Sequence, residues 1–304
     1  MTVKRILRVL PFLLLALTAT VANAQDDTLV LGRISDDPKA HYEQLKPLLD
    51  YVVPRMHDVG IRRGRILMAR DVSQMSSYLR RGRVHWVTET AASGMLLRRR
   101  AGAVPLLWTN RGGVSQYRTL FFVRRDSGIE TLEALRGRSI AFQNNTSASA
   151  YFVPAYELLQ RGLKLELQLS PLMRAGNDVV GYVFARSERN IATWVVKGLT
   201  DAGVMSDLDW ESAERMPPAY RAQMRVLHIS QPFPRALELV SERLSSERRE
   251  RLKAVLLEAQ HDPAAAPALK AFFSTSGFGV MDEARMREFG YIEAAVTRVS
   301  REVE

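Results

Sequence analysis

Cysteine is absent from all 304 residues. Its absence excludes a disulfide scaffold, a thiolate metal site, a cysteine nucleophile and an iron–sulfur cluster together. Histidine is scarce: the five, His41, His57, His85, His228 and His261, show neither His-x-x-x-His nor His-Glu-x-x-His spacing, so a metal centre has no support. Gly-x-Ser-x-Gly, the P-loop and Gly-x-Gly-x-x-Gly are missing too, which leaves hydrolase, NTPase and dinucleotide-binding readings without a motif. Asp207 and Asp209 stand two apart in an expected loop, a spacing that gives a carboxylate pair no shared face. With neither an activated nucleophile nor a metal, the chain reads as a non-enzymatic protein without a cofactor.

Positive charge is what the sequence has in excess, 43 Lys plus Arg against 33 Asp plus Glu, a formal +10. Lys4, Arg5 and Arg8 precede an apolar stretch from Val9 to about Val21, and Ala22-Asn23-Ala24 follows. That order predicts a secretory signal peptide over 1–24, cleaved after Ala24. The apolar stretch falls short of the roughly 20 residues a spanning helix needs, Pro11 interrupts it, and no cysteine follows to carry a lipid. The expectation is an exported, soluble chain outside the cytoplasm. In that compartment the arginine clusters at 62–65, 80–83 and 98–100 read as solvated helix ends and turns, not as a nucleic-acid footprint. A positive field still concentrates anionic ligands.

Between Thr28 and Ser230, apolar runs of strand length alternate with helical patterns. Strands are expected at 28–34, 65–69, 85–88 and 104–108, and helices at 42–56 (limited by Pro47 and Pro54), 73–81 and 91–100. The run 117–124 reads as a buried strand crossing into a second unit. There, helices are expected at 128–135, 147–160 and 189–199, and strands at 139–142, 163–169, 179–185 and 202–205. A return crossing spans 224–230, Pro232-Phe233-Pro234 forbids helix, and from Ser245 onward the pattern is helical, with a break at 262–267 and a last helix from Asp282. This βαβ repetition predicts an α/β fold with two mixed, mainly parallel sheets flanked by helices. Two units joined by two crossings describe a bilobal clamshell, with 25–117 and 225–304 in lobe 1 and 118–224 in lobe 2. It would flex at 116–120 and 224–227.

Ligands in such sheets lie beyond the carboxyl ends of the strands. That singles out the loops at 35–37, Asp71, Thr88-Glu89-Thr90, 143–149 and Ser206-Asp207. In the fourth, the hydroxyls of Ser147 and Ser149 join Asn145, Thr146 and the free amides of the first turn, including that of Ala148, at the positive end of a helix dipole. This is an anion-binding arrangement. Four or five charge-assisted hydrogen bonds of about 1.5–3 kcal/mol each support micromolar affinity after ordering costs, although Ser-x-Ser at a helix start equally describes a plain N-cap. A second helix start, with Ser187 and Asn190, offers further donors on the same terms. Trp86, Trp108, Trp194 and Trp210 read as core.

The stretch Phe142-Gln143-Asn144-Asn145-Thr146-Ser147-Ala148-Ser149-Ala150-Tyr151-Phe152-Val153-Pro154 resembles a segment of the phosphate/phosphite/phosphonate substrate-binding proteins of ABC importers. Their pattern is Phe-Gly-Asp-Pro-x-Ser-Thr-Ser-Gly, then an apolar pair and Pro. Gly82-Arg83-Val84-His85-Trp86-Val87 is similar to that family's Gly-Lys-Val-Asp strand entry, and Gly198-Leu199-Thr200-Asp201-Ala202-Gly203 to its Gly-x-x-Asp-Ala-Gly. The resemblance implies a type II periplasmic binding protein fold. It implies a monomer that captures phosphonate, phosphite or phosphate by hinge closure and hands it to an inner-membrane permease. Ser147 and Ser149 match the family's two serines, while Ala148 keeps only the backbone amide of its central Thr. The alternative from another class is a sensory binding protein reporting to a membrane histidine kinase or cyclase. Two departures matter: Gln143-Asn144-Asn145 replaces Gly-Asp-Pro, and Glu89 falls where the family often has an aromatic. A buried carboxylate repels a dianion unless neutralised, so three explanations stand open. The ligand carries an amine for Glu89 and Asp207, an arginine pairs with Glu89, or the pocket takes another small polar molecule.

Overall fold

The computed structural model describes residues 27–303, so the expected signal peptide at 1–24 lies outside the described residues. Two six-stranded sheets form two lobes. In the first sheet the order is Thr275–Val280, Val104–Arg111, Ala236–Val240, Trp86–Thr90, Thr28–Ile34 and Arg63–Ala69. The second runs Met224–Ile229, Thr119–Arg124, Ala202–Ser206, Ser139–Phe142, Val179–Phe184 and Lys164–Leu167. Each sheet is mixed. Each sheet holds parallel pairs, and the strands next to the crossings pair antiparallel.

The central strands are continuous apolar runs because helices cover both faces. Leu29, Val30 and Leu31 in one sheet and Phe121, Phe122 and Val123 in the other are all at most 1% exposed. Gly203 sits in the second sheet where a Cβ would press on Ile191 and Phe122, so the glycine lets the helix Glu188–Val196 approach the strand closely. Among the described residues no helix is long and apolar enough to cross a membrane.

Three features depart from the sequence reading. The expected helix at 128–135 is reduced to a 3-10 turn, Glu133–Leu135, since Gly128 takes a left-handed φ of +68° that a helix cannot accommodate. The region from Ser245 onward is not all helix: Thr275–Val280 is an edge strand. Its Gly277 and Gly279 leave no room for a Cβ beside Gln260 and Trp108, a tertiary fit that local periodicity does not carry. Finally, Met224–Ile229 pairs with Thr119–Arg124 in the second sheet, and the link between lobes is a small ribbon in which Gln116–Tyr117 pairs with Phe233–Pro234.

The last helix, Glu283–Glu302, packs on the helix Ala91–Ala101 of the first lobe and the helix Val153–Gln160 of the second. It is fastened to both. Arg98 pairs with Glu293 at 3.1 Å, and Tyr291 Oη donates to Glu157 Oε1 at 3.0 Å. The same Glu157 carboxylate meets His228 Nε2 at 2.5 Å.

Candidate functional site

A cleft of about 550 Å³ opens where the carboxyl ends of parallel strands from the two lobes face each other. Ser35, Arg70, Glu89 and Thr90 follow or end strands of the first lobe, and Arg111, Arg235 and Phe273 join them. The opposite wall is the 143–149 loop with Arg186, Glu188, Asp209 and Arg215.

On the second lobe, Ser147 is an N-cap whose Oγ accepts from Ala150 N at 3.1 Å. The helix it starts opens as a wide π-type turn, Ala148–Phe152, and continues as α-helix to Gln160. Amides of a first turn have no acceptor inside the helix; that of Ala150 is taken by Ser147 Oγ, and Ala148 and Ser149 line the cleft. The preceding loop is held by Asn144, whose Oδ1 accepts from Thr146 N at 3.0 Å and Thr146 Oγ1 at 2.8 Å. Across the cleft, Ser93 Oγ donates to Thr146 O at 3.3 Å.

The first lobe contributes guanidinium groups. Arg33 and Arg111 are only 9% and 6% exposed. Both lie over the ring of Phe273, their guanidinium carbons 4.5 and 4.3 Å from its centroid. Arg33 Nη1 donates to Thr88 O at 3.1 Å, and Arg111 Nη2 to Thr88 Oγ1 at 2.9 Å. Arg235 lies over Tyr117 at 5.0 Å. The Nε groups of all three are buried with no hydrogen-bond partner. Burial first, and the neighbouring Arg33 second, depress the pKa of Arg111 to about 9. The same two causes, in the same order, lower that of His41 to about 4, so His41, 2.6 Å from Ser35 Oγ, is neutral near pH 7.

Two buried carboxylates offset part of this charge. Glu89 Oε1 accepts from Ile34 N at 2.7 Å, with Oε2 4.0 Å from Arg33 Nη1. Glu238, fully buried, accepts from Trp86 Nε1 at 2.7 Å, Thr88 Oγ1 at 2.8 Å and Thr109 Oγ1 at 2.7 Å. Burial raises its pKa while Arg111 opposes the rise. On the facing wall, Arg215 Nη1 donates to Glu188 Oε2 at 2.7 Å, and Asp209 Oδ2 accepts from Ser206 Oγ at 2.6 Å. Burial and then Asp209 push the Glu188 pKa up.

Of the residues singled out by sequence, Glu89, Thr90, Asn145, Thr146, Ser147, Ala148 and Ser149 line the cleft. The other five are not among its lining. Thr88 is fully buried behind it, holding Arg111 and Glu238. Ser187 caps its helix by accepting from Asn190 N at 3.2 Å, and Asn190 Nδ2 donates to Ala185 O at 2.8 Å. Ser206 is spent on Asp209, and Asp207 Oδ1 accepts from Arg118 N and Leu208 N. From those two segments it is Glu188 and Asp209 that reach the cleft, because the capping serines turn back on their own helix starts. For Glu89 the geometry supports the neighbouring arginine. Arg33, Arg111, Arg235, His41 and Phe273 were missed. Their one local signal is an arginine inside an otherwise apolar strand, Leu31-Gly32-Arg33-Ile34.

Residues 32–286 match the family described as ABC transporter, phosphonate, periplasmic substrate-binding protein. XAC2383 from Xanthomonas citri, solved bound to chloride ion, is 50% identical with a TM-score of 0.89, over 91% of this chain and 100% of that one. The same protein solved bound to ATP gives 49% and 0.88 over the same shares. PhnD1 from Prochlorococcus marinus in complex with methylphosphonate shares the two-lobed type II fold, with a TM-score of 0.68 at 14% identity over 91% of this chain and 99% of that one.

Proposed function

The chain belongs to the periplasmic substrate-binding proteins of phosphonate ABC transporters, and on that premise we propose that its cleft captures an oxyanion-bearing small molecule for delivery to an inner-membrane permease. Family members are the solute-binding components of importers, which supports capture in the periplasm over turnover. Phosphonate, phosphite, phosphate and larger phosphoryl compounds share the chemistry the cleft offers. The observation that carries the reading is the pair of buried arginines over Phe273 opposite the Ser147 helix start. Both ligands of the Xanthomonas relative, chloride and ATP, are anions, which supports it.

The mechanism follows from the two walls. An anion entering the open cleft meets the arginines, whose field in a low-dielectric setting exceeds what water would allow. Closure then brings the Ser147, Ala148 and Ser149 donors onto its remaining oxygens, each contact contributing about 1.5–3 kcal/mol. The hinge is the ribbon of Gln116–Tyr117 with Phe233–Pro234.

A thermal-shift series with phosphate, phosphite, methylphosphonate, 2-aminoethylphosphonate and ATP tests the reading. A bound oxyanion raises stability by about 4 kcal/mol at a thousandfold over its Kd, and Ser147→Ala with Ser149→Ala removes the shift. A series in which no oxyanion stabilises the protein, or in which the double variant responds like wild type, overturns it.

A further inference from the structure

We propose that the ligand is a polyanion with two separate charged groups, one held by Arg33, Arg111 and Arg235 on the first lobe and the other by the Ser147–Ser149 turn on the second. This deepens, and rests on, the reading of the cleft as an oxyanion site.

The arginines constitute a built cation cluster independent of the helix start. Arg33 is next to last in one strand, Arg111 ends another, and Arg235 immediately precedes a third, so the sheet itself brings them together. Arg33 and Arg111 are more than nine-tenths buried, and each spends one terminal nitrogen on Thr88 while its Nε has no partner. Buried guanidinium groups with unmet donors are costly unless an anion completes them. Glu89 and Glu238 offset two of the three charges. Arg235 forms no ion pair among the described residues, so the cluster retains an unmatched positive charge. Burial first, and the neighbouring Arg33 second, lower the pKa of Arg111, so an anion brought beside it would relieve both.

The donors of the second lobe form a separate set on the opposite wall of the cleft. Glu188 is tied to Arg215, with Asp209 beside it, on the second-lobe wall, and Asp36 lines the first. A cavity of about 550 Å³ lies in the range of drug-sized ligands, far larger than a lone phosphonate requires.

Isothermal titration with methylphosphonate and with methylene-, ethylene- and propylene-bridged bisphosphonates decides the matter. In the wild type, one bridge length binds about a hundredfold or more tighter than methylphosphonate, the gain expected when two binding groups are linked, and the other lengths bind less well. Arg235→Gln reduces that preference to about fivefold, and Arg235→Lys restores part of it, which separates lost charge from lost folding. Affinity that follows total charge regardless of bridge length overturns the inference, as does an undiminished preference in Arg235→Gln. If methylphosphonate binds and no bisphosphonate binds better, this inference alone falls. If no compound binds, the oxyanion reading falls and takes this with it.

Discussion

Arg111 lays its guanidinium over Phe273, 4.3 Å from the ring centroid, on a residue whose own backbone is strained. Phe273 and Ser274 have φ of +54° and +51°, a left-handed conformation that costs a non-glycine residue roughly 1–2 kcal/mol. Gly112 N donates to both of their carbonyls, at 3.1 Å each. In that conformation Phe273 sets its ring against both Arg33 and Arg111.

Phe273→Leu keeps the apolar volume and deletes the π-face. Each cation–π contact is worth about 1 kcal/mol, so affinity for inorganic pyrophosphate falls on the order of tenfold, measured by titration, while Phe273→Tyr restores it. Ser274→Gly relieves part of the strain and raises stability by about 1 kcal/mol in urea unfolding. A Phe273→Leu protein that binds like wild type shows that the ring only fills space.

Glu89→Gln has an expected sign that distinguishes two ligand chemistries. Glutamine can still accept from Ile34 N, but it removes the negative charge 4.0 Å from Arg33 Nη1. Simple oxyanions such as phosphate or methylphosphonate then bind several-fold tighter, because the field of Arg33 is no longer offset. A ligand whose amine sits on Glu89 weakens instead. Comparing methylphosphonate with 2-aminoethylphosphonate in the two proteins reads out both.

His41 makes stability depend on pH in a defined window. Its folded pKa is about 4 against 6.5 when exposed. As pH falls below 6.5 the unfolded chain takes up a proton that the folded chain refuses until about 4, so unfolding is progressively favoured across that interval. His41→Gln flattens this part of the profile, and the difference between the two urea-unfolding curves isolates the contribution of this residue from that of the carboxylates. A variant with an unchanged slope from pH 6.5 to 4 contradicts the assignment.

What sequence reasoning recovers here is local. The strand Thr28–Ile34 is legible because apolar residues end at a polar loop, and the Ser147 turn because small polar residues follow a strand and precede an apolar helix. The stretch 198–203 carries a packing motif: Asp201 Oδ2 accepts from Ser139 N at 2.9 Å and from its Oγ at 3.0 Å, and Gly203 admits the covering helix. The arginine cluster was illegible since the groups that make a buried Arg33 or Arg111 tolerable, namely Thr88, Glu89, Glu238 and Phe273, lie far away along the chain. The strand Thr275–Val280 was hidden for a similar reason, its glycines answering to Trp108 and Gln260.

The strand Ala236–Val240 lies between Val104–Arg111 and Trp86–Thr90, and it delivers Glu238 to Thr88 and Thr109. A nascent chain therefore keeps its first sheet in two unjoined halves until Ala236–Val240 has emerged, although 119–229 already holds every strand of the second. The second lobe's sheet can close before the first lobe's, so the ability to hold a guest waits on a strand made after the whole of the other sheet.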